Sequence, residues 1–268
     1  MKYAFRVALI CIPLSASVAR AQVPVNLNTW STQSYPAVPG FGAGVWTVAP
    51  DGSSVHQTVN GQPTMFASDF NAQGTEVKGR IRSGGGDDDF IGFALGYHTN
   101  DITNANANYL LLDWKAGTQN FDFGAPNDGP GGNALRGLAV SRVNGIPTAN
   151  EFWQHNNFAG NTNGSLTELQ RGLTLGSTGW VANTTYDFTF IFLPNLLQVF
   201  VNDVLQINLA GNFNDGSMAF YNFSQADVTY SAFTKREITT TAPEPASFAM
   251  MAFGLFAVGY TVTRRKRV

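Results

Sequence analysis

Residues 186–193 read Tyr-Asp-Phe-Thr-Phe-Ile-Phe-Leu, with phenylalanines at 188, 190 and 192. A spacing of two puts all three rings on one face of an extended strand, and a slip of one residue would turn them all into water. The same period appears in Glu76–Arg82, where apolar and charged side chains alternate as on a strand with one wet face. Pro194-Asn195 turns the first run into Leu196–Val201, and Asn202-Asp203 turns that into Val204–Leu209. Further short runs lie at Phe90–Tyr97, Tyr109–Lys115, Leu135–Val143, Ser217–Phe223 and Val228–Phe233. No long stretch of helical period interrupts them. Many short strands between turn signals predict an all-β fold, a sandwich or barrel. Between residues 22 and 235 no linker or shift of composition divides the chain, so a single domain is expected there, followed by a stalk over 236–242.

The two ends have a different character. Lys2 and Arg6 precede an apolar run from Val7 to about Val18, and Ala19-Arg20-Ala21 closes it. A positive start, a short apolar middle and a small-x-small end predict a secretory signal over 1–21, with signal peptidase recognising Ala19 and Ala21. At the other end Pro243-Glu244-Pro245 leads into an uncharged apolar run, Phe248–Val262, and then Arg264-Arg265-Lys266-Arg267. That run is at the lower length limit for a single transmembrane helix, and the four charges behind it predict a cytoplasmic tail with the domain outside. Without the basic ends, residues 22–244 keep 9 basic and 18 acidic side chains, a net of −9. A domain so acidic, with no basic stripe, is not expected to bind nucleic acid. Cys11, within the first apolar run, is the chain's one cysteine, so the domain is expected to have no disulfide and no thiolate metal site.

Three features in fixed order, Pro243-Glu244-Pro245, the apolar run and the terminal Arg264–Arg267 cluster, resemble the PEP-CTERM sorting signal of bacterial exported proteins. The resemblance covers residues 243–268. It implies a membrane-anchored precursor, recognition by an exosortase, and delivery to the cell surface or the extracellular matrix, often in bacteria that make exopolysaccharide and biofilm. It speaks to location and leaves activity open.

A second resemblance runs through the domain. Asp87-Asp88-Asp89 followed by Phe90-Ile91-Gly92-Phe93, then Tyr109–Lys115 ending in Trp114-Lys115, then Gly179-Trp180 before Tyr186–Phe192, then Met218–Gln225 ending in Ser224-Gln225, occur in the order seen in the thrombospondin C-terminal domain. That resemblance implies a calcium-binding jelly roll, a β-sandwich of the concanavalin A-like lectin/glucanase type. The family's cysteines are missing here, so partner binding known for animal thrombospondins is not carried over.

The residues themselves offer few sites for chemistry. Asp87, Asp88 and Asp89 follow Gly84-Gly85-Gly86, whose backbone freedom would let the chain fold round an ion. Ca²⁺ takes several oxygen ligands, and three adjacent carboxylates repel one another unless a cation or solvent relieves them. A solvated acidic turn is the plain alternative. Alternation lets two of the three face one ion, and Asp101, Asn104 and Asn106 in the next loop are further oxygen donors. Glycoside hydrolysis needs two carboxylates set across the scissile bond. The chain's five glutamates (76, 151, 168, 237 and 244) form no such pattern along one strand, Glu151 and Glu168 falling where a loop is expected. The three histidines share no metal-ligand spacing, and no Gly-x-Ser-x-Gly elbow is present. Trp153 and Asn156, in an expected loop, have the chemistry of a glycan contact, with a packed tryptophan as the default.

A non-enzymatic surface or matrix protein is therefore expected, its calcium-stabilised sandwich presenting loops to polysaccharide or to another envelope protein. The alternatives are a carbohydrate-active enzyme on the same fold and a purely structural biofilm component.

Overall fold

The computed structural model describes residues 21–124 and 129–238. The signal segment, the sorting motif and its basic cluster lie outside the described residues, Ala21 excepted. The described strands are β1 (Val23–Pro24), β2 (Ser31–Ser34), β3 (Trp46–Val48), β4 (Ser54–Gln57), β5 (Thr64–Asn71) and β6 (Thr75–Ser83). β7 (Phe90–Tyr97), β8 (Asn108–Lys115), β9 (Gln119–Phe121), β10 (Gly132–Ala134) and β11 (Gly137–Gly145) follow, then helix α1 (Ala149–Gln154). The series ends with β12 (Gly164–Arg171), β13 (Thr185–Leu193), β14 (Leu196–Val201), β15 (Val204–Ala210), β16 (Ser217–Phe223) and β17 (Val228–Glu237).

Two antiparallel sheets face each other. One runs β15-β14-β13-β6-β17-β4-β3, with β1 added along β17, and the other runs β12-β11-β8-β7-β16-β5-β2. The alternation read from β13 holds: Phe188, Phe190 and Phe192 are buried between the sheets, where they meet Phe93, Leu112, Trp114 and Phe220. Phe220 stacks on Tyr230 at 4.5 Å between ring centroids and joins the two sheets directly. Both sheets and their cores lie within one compact unit, Gln22–Ile238. The domain therefore extends past residue 235. β17 pairs with β6 as far as Glu237 against Thr75, so residues 236 and 237, expected to open a stalk, complete a strand.

The second sheet is buried on both faces. On β8, Leu110, Leu112 and Trp114 point between the sheets, while Tyr109 and Leu111 enter a separate cluster on the outer side. β7 and β16 divide in the same way, which explains why these strands read as continuous apolar runs instead of alternating ones. The cover over the outer face is α1, the β9–β10 ribbon and loop residues including Val38 and Phe123. α1 starts with a capping box: Glu151 N–H donates to Thr148 Oγ1 at 3.1 Å, and Thr148 N–H donates to Glu151 Oε2 at 2.7 Å. It ends at His155, in the left-handed region at φ 53°. Alternation puts Asp113 and Lys115 on the outer side of β8 too, and the cover makes both charges buried.

Candidate functional site

The acidic triplet lies on the loop between β6 and β7. Gly85 and Gly86 take φ values of +96° and +91°, which the glycine lead-in permits. The three carboxylates do gather, with one oxygen of each within 4.8 Å of the others. The cation that faces two of them is a side chain. Lys115 Nζ, at the end of β8, donates to Asp89 Oδ1, to Asp88 Oδ1 at 3.2 Å, to the Asp88 carbonyl at 3.3 Å and to Gln119 Oε1 at 3.1 Å. The Trp153 ring closes its far side, 4.5 Å from Nζ, and Phe90 lies at 5.5 Å. Lys115 is wholly buried. Asp89 is buried with it, donating its N–H to Gln225 Oε1 and accepting from Trp180 Nε1 at its carbonyl, each at 3.0 Å. Burial pushes the Asp89 carboxyl up to about 6, against the pull of Lys115. Asp87 is partly exposed and accepts from Asn60.

This donor set does not fit a tightly held Ca²⁺. Calcium needs six to eight oxygens at about 2.3–2.6 Å, and the inward oxygens of Asp88 and Asp89 are already on Lys115. A divalent ion about 4 Å from the ammonium would be repelled on the order of 8 kcal/mol at an effective dielectric of 20. Asp101 adds no ligand. Its carboxylate accepts from His98 N–H at 2.8 Å and Asn104 Nδ2 at 3.1 Å within its own loop.

A second array, not anticipated from the sequence, lies under the same cover. His155 Nε2 bonds Asp113 Oδ2 at 3.0 Å and Nδ1 bonds Glu168 Oε2 at 3.1 Å. Arg171 completes a fork on Glu168, Nε to Oε1 at 3.0 Å and Nη2 to Oε2 at 2.9 Å. Burial alone would lower the His155 pKa, but Asp113 and Glu168 outweigh it and hold the ring up to about 9. Burial pushes Asp113 upward as well, against the imidazolium. The ring is therefore held as the imidazolium at neutral pH, one N–H toward each carboxylate. The signal was present in Asp113-Trp114-Lys115, where two charges alternate onto the face of Tyr109 and Leu111.

Where a loop was expected at Trp153 there is helix α1, and the ring is packed, the default reading, among Phe90, Phe121, Phe123 and Phe223, so it offers no ring face to a glycan. Asn156, just beyond α1, is exposed. Glu151 and Glu168 are in α1 and β12 and not in loops, and Glu76, on the wet face of β6, is nonetheless buried against Arg236 and Lys78.

The family profile of the thrombospondin C-terminal region matches residues 42–237, most of the chain and nearly all of the sandwich. This chain belongs to that family. The PEP-CTERM protein-sorting motif matches residues 241–267 and marks this thrombospondin C-terminal-like chain as exported and directed to the cell surface. No curated protein matches the sequence. Among solved structures, a Bacillus subtilis protein of unknown function with a galectin-like fold aligns at TM-score 0.50 and 9% identity, over 81% of this chain and 94% of that one. The carbohydrate-binding module CBM66 of Bacillus subtilis aligns at TM-score 0.48 and 12% identity, over 78% and 96%. The VIP36 exoplasmic/lumenal domain in its Ca2+/Man3GlcNAc-bound form aligns at TM-score 0.46 and 11% identity, over 82% and 90%. At 9% identity the likeness to the galectin-like protein concerns fold alone.

Proposed function

We propose that this is a non-enzymatic surface or matrix protein whose sandwich presents exposed loops to polysaccharide or to another envelope protein. The observation that carries the proposal is the state of the buried carboxylates. Glu76 is held by Arg236, Lys78 and Gln22, Asp89 by Lys115, and Asp113 by His155. Asp101 ties its own loop, and Glu151 bonds the N–H groups of Thr148 and Phe158, each at 2.7 Å. Each is fixed by internal partners, whereas a glycosidase needs one carboxyl free to give a proton and a second aimed at the sugar. Calcium is supported in this proposal by the gathering of the three carboxylates alone; Lys115 opposes it.

The sorting motif supports a life history of the same kind: an inner-membrane-anchored precursor, cleavage near Pro243–Pro245 by an exosortase, then release or re-anchoring at the surface or in the matrix. The activity test incubates purified residues 22–238 with soluble cell-surface polysaccharide and follows both co-sedimentation and new reducing ends. Binding without new ends is expected. Reducing ends that disappear in Glu168→Gln would instead establish a carbohydrate-active enzyme. Replacing Pro243, Glu244 and Pro245 by alanine is expected to leave the uncleaved chain in the membrane fraction.

A further inference from the structure

We infer that the Lys115 ammonium holds, from within the chain, the place of a structural cation at the acidic triplet, so that the loop is closed without calcium. Four oxygens from three residues converge on Nζ: two side-chain carboxylate oxygens, one main-chain carbonyl and one amide oxygen. That mixture of carboxylate and carbonyl donors is the kind that calcium takes. Here it surrounds an ammonium, which has three hydrogens for them and an aromatic face behind. The stem reaches this point because Lys115 is on the outer face of β8, in the row that also holds Phe90 and Phe223.

The loop is built to receive it. The Asp88 carbonyl also accepts from Ala116 N–H at 2.9 Å and Gly117 N–H at 3.3 Å, fastening the acidic loop to the turn after β8. Gly117 has no side chain for a reason: a Cβ there would lie 1.9 Å from Asp88 Oδ2. The arrangement is reciprocal. A wholly buried ammonium is not stable without counter-charges, and Asp88 and Asp89 are the carboxylates that meet it. Asp87, the third, is at the surface, where solvent and Asn60 serve it.

The inference is independent of any polysaccharide ligand. It is tested by melting residues 22–238, and the full chain in detergent, in millimolar Ca²⁺ and in EGTA, with Tb³⁺ luminescence excited through tryptophan as a second readout. The wild-type melting temperature is expected to be the same in both buffers, with no Tb³⁺ signal that depends on Asp88. Lys115→Met is expected to melt lower in EGTA, to regain part of the loss in Ca²⁺, and to acquire Tb³⁺ luminescence because the ion then sits beside Trp153. A wild-type melting temperature that rises in Ca²⁺, with the rise lost in Asp88→Asn, would overturn the inference. So would Lys115→Met that is as stable as wild type in EGTA. If Lys115→Met does not fold, the two wild-type arms decide alone.

Discussion

Raising the pH from 6.5 to 9.5 should weaken this domain through a single buried ring. His155 ties the end of α1 to β8 and β12, through Asp113 at 3.0 Å and Glu168 at 3.1 Å. Its pKa moves from the ordinary 6.5 to about 9 in the folded state. The folded protein therefore binds the proton more tightly than the unfolded chain does. The resulting stabilisation is complete below about pH 6.5 and is lost as the pH climbs through 9. Each pKa unit is worth about 1.4 kcal/mol, so the whole contribution is about 3 kcal/mol. Glu168 is partly solvated, which makes about 2–3 kcal/mol the working figure. For a domain of this size that corresponds to a fall of about 5–10 °C in melting temperature.

The assay is urea unfolding at half-unit pH steps, for the wild type and for His155→Gln. Subtracting the two curves removes the lysines and tyrosines that titrate in both. The difference in unfolding free energy should shrink by about 2–3 kcal/mol between pH 6.5 and 9.5. A ring titration by NMR gives the same quantity directly and needs no variant. A difference that stays flat over this range, or a His155 midpoint near 6.5, would refute the argument that Asp113 and Glu168 overcome burial.

Other substitutions test the packing. Phe220→Ala, which empties the contact between the two sheets, should cost about 3–5 kcal/mol in chemical denaturation. Gly92→Ala should cost about 3 kcal/mol, the upper end of overpacking, because its Cβ would lie 2.1 Å from the Leu112 carbonyl oxygen on the neighbouring strand, where no side chain can move aside. Trp153→Phe should leave polysaccharide binding unchanged while lowering the melting temperature. Loss of binding with an unaltered melt would return Trp153 to the role of glycan contact.

How much of this was legible depends on how each layer is specified. β13 announced itself because three phenylalanines at 188, 190 and 192 leave only one face for the core. β7 and β16 were bounded by their turns, to the residue. β2, β3 and β4 were not visible: each is four residues or fewer, too short for a period to show, and each has exposed or half-buried positions. β2 is placed by β5 and β4 by β17, both distant in sequence, and β3 then pairs along β4. α1 was hidden for a related reason. Its six residues make less than two turns, and its start depends on the Thr148–Glu151 box and its end on one left-handed histidine.

The site was half legible, and the missing half follows from the same limit. Asp87, Asp88 and Asp89 are together by adjacency alone, so the need for a cation can be read locally. Which cation answers that need is a matter of strand pairing. Phe90 pairs with Lys115 across β7 and β8, and that register delivers the ammonium to the triplet. Asp113, two residues earlier on the same face, is brought by the next row to His155. A charged residue at alternate positions of an otherwise apolar strand is costly to bury unpaired. Two such residues in Asp113-Trp114-Lys115 therefore require that this strand face be either wet or lined with counter-charges. The depth of the cover, with Trp153 over the lysine, decides for the second. The outer layer is thus specified as much by where its charges must be neutralised as by where its apolar groups must be hidden.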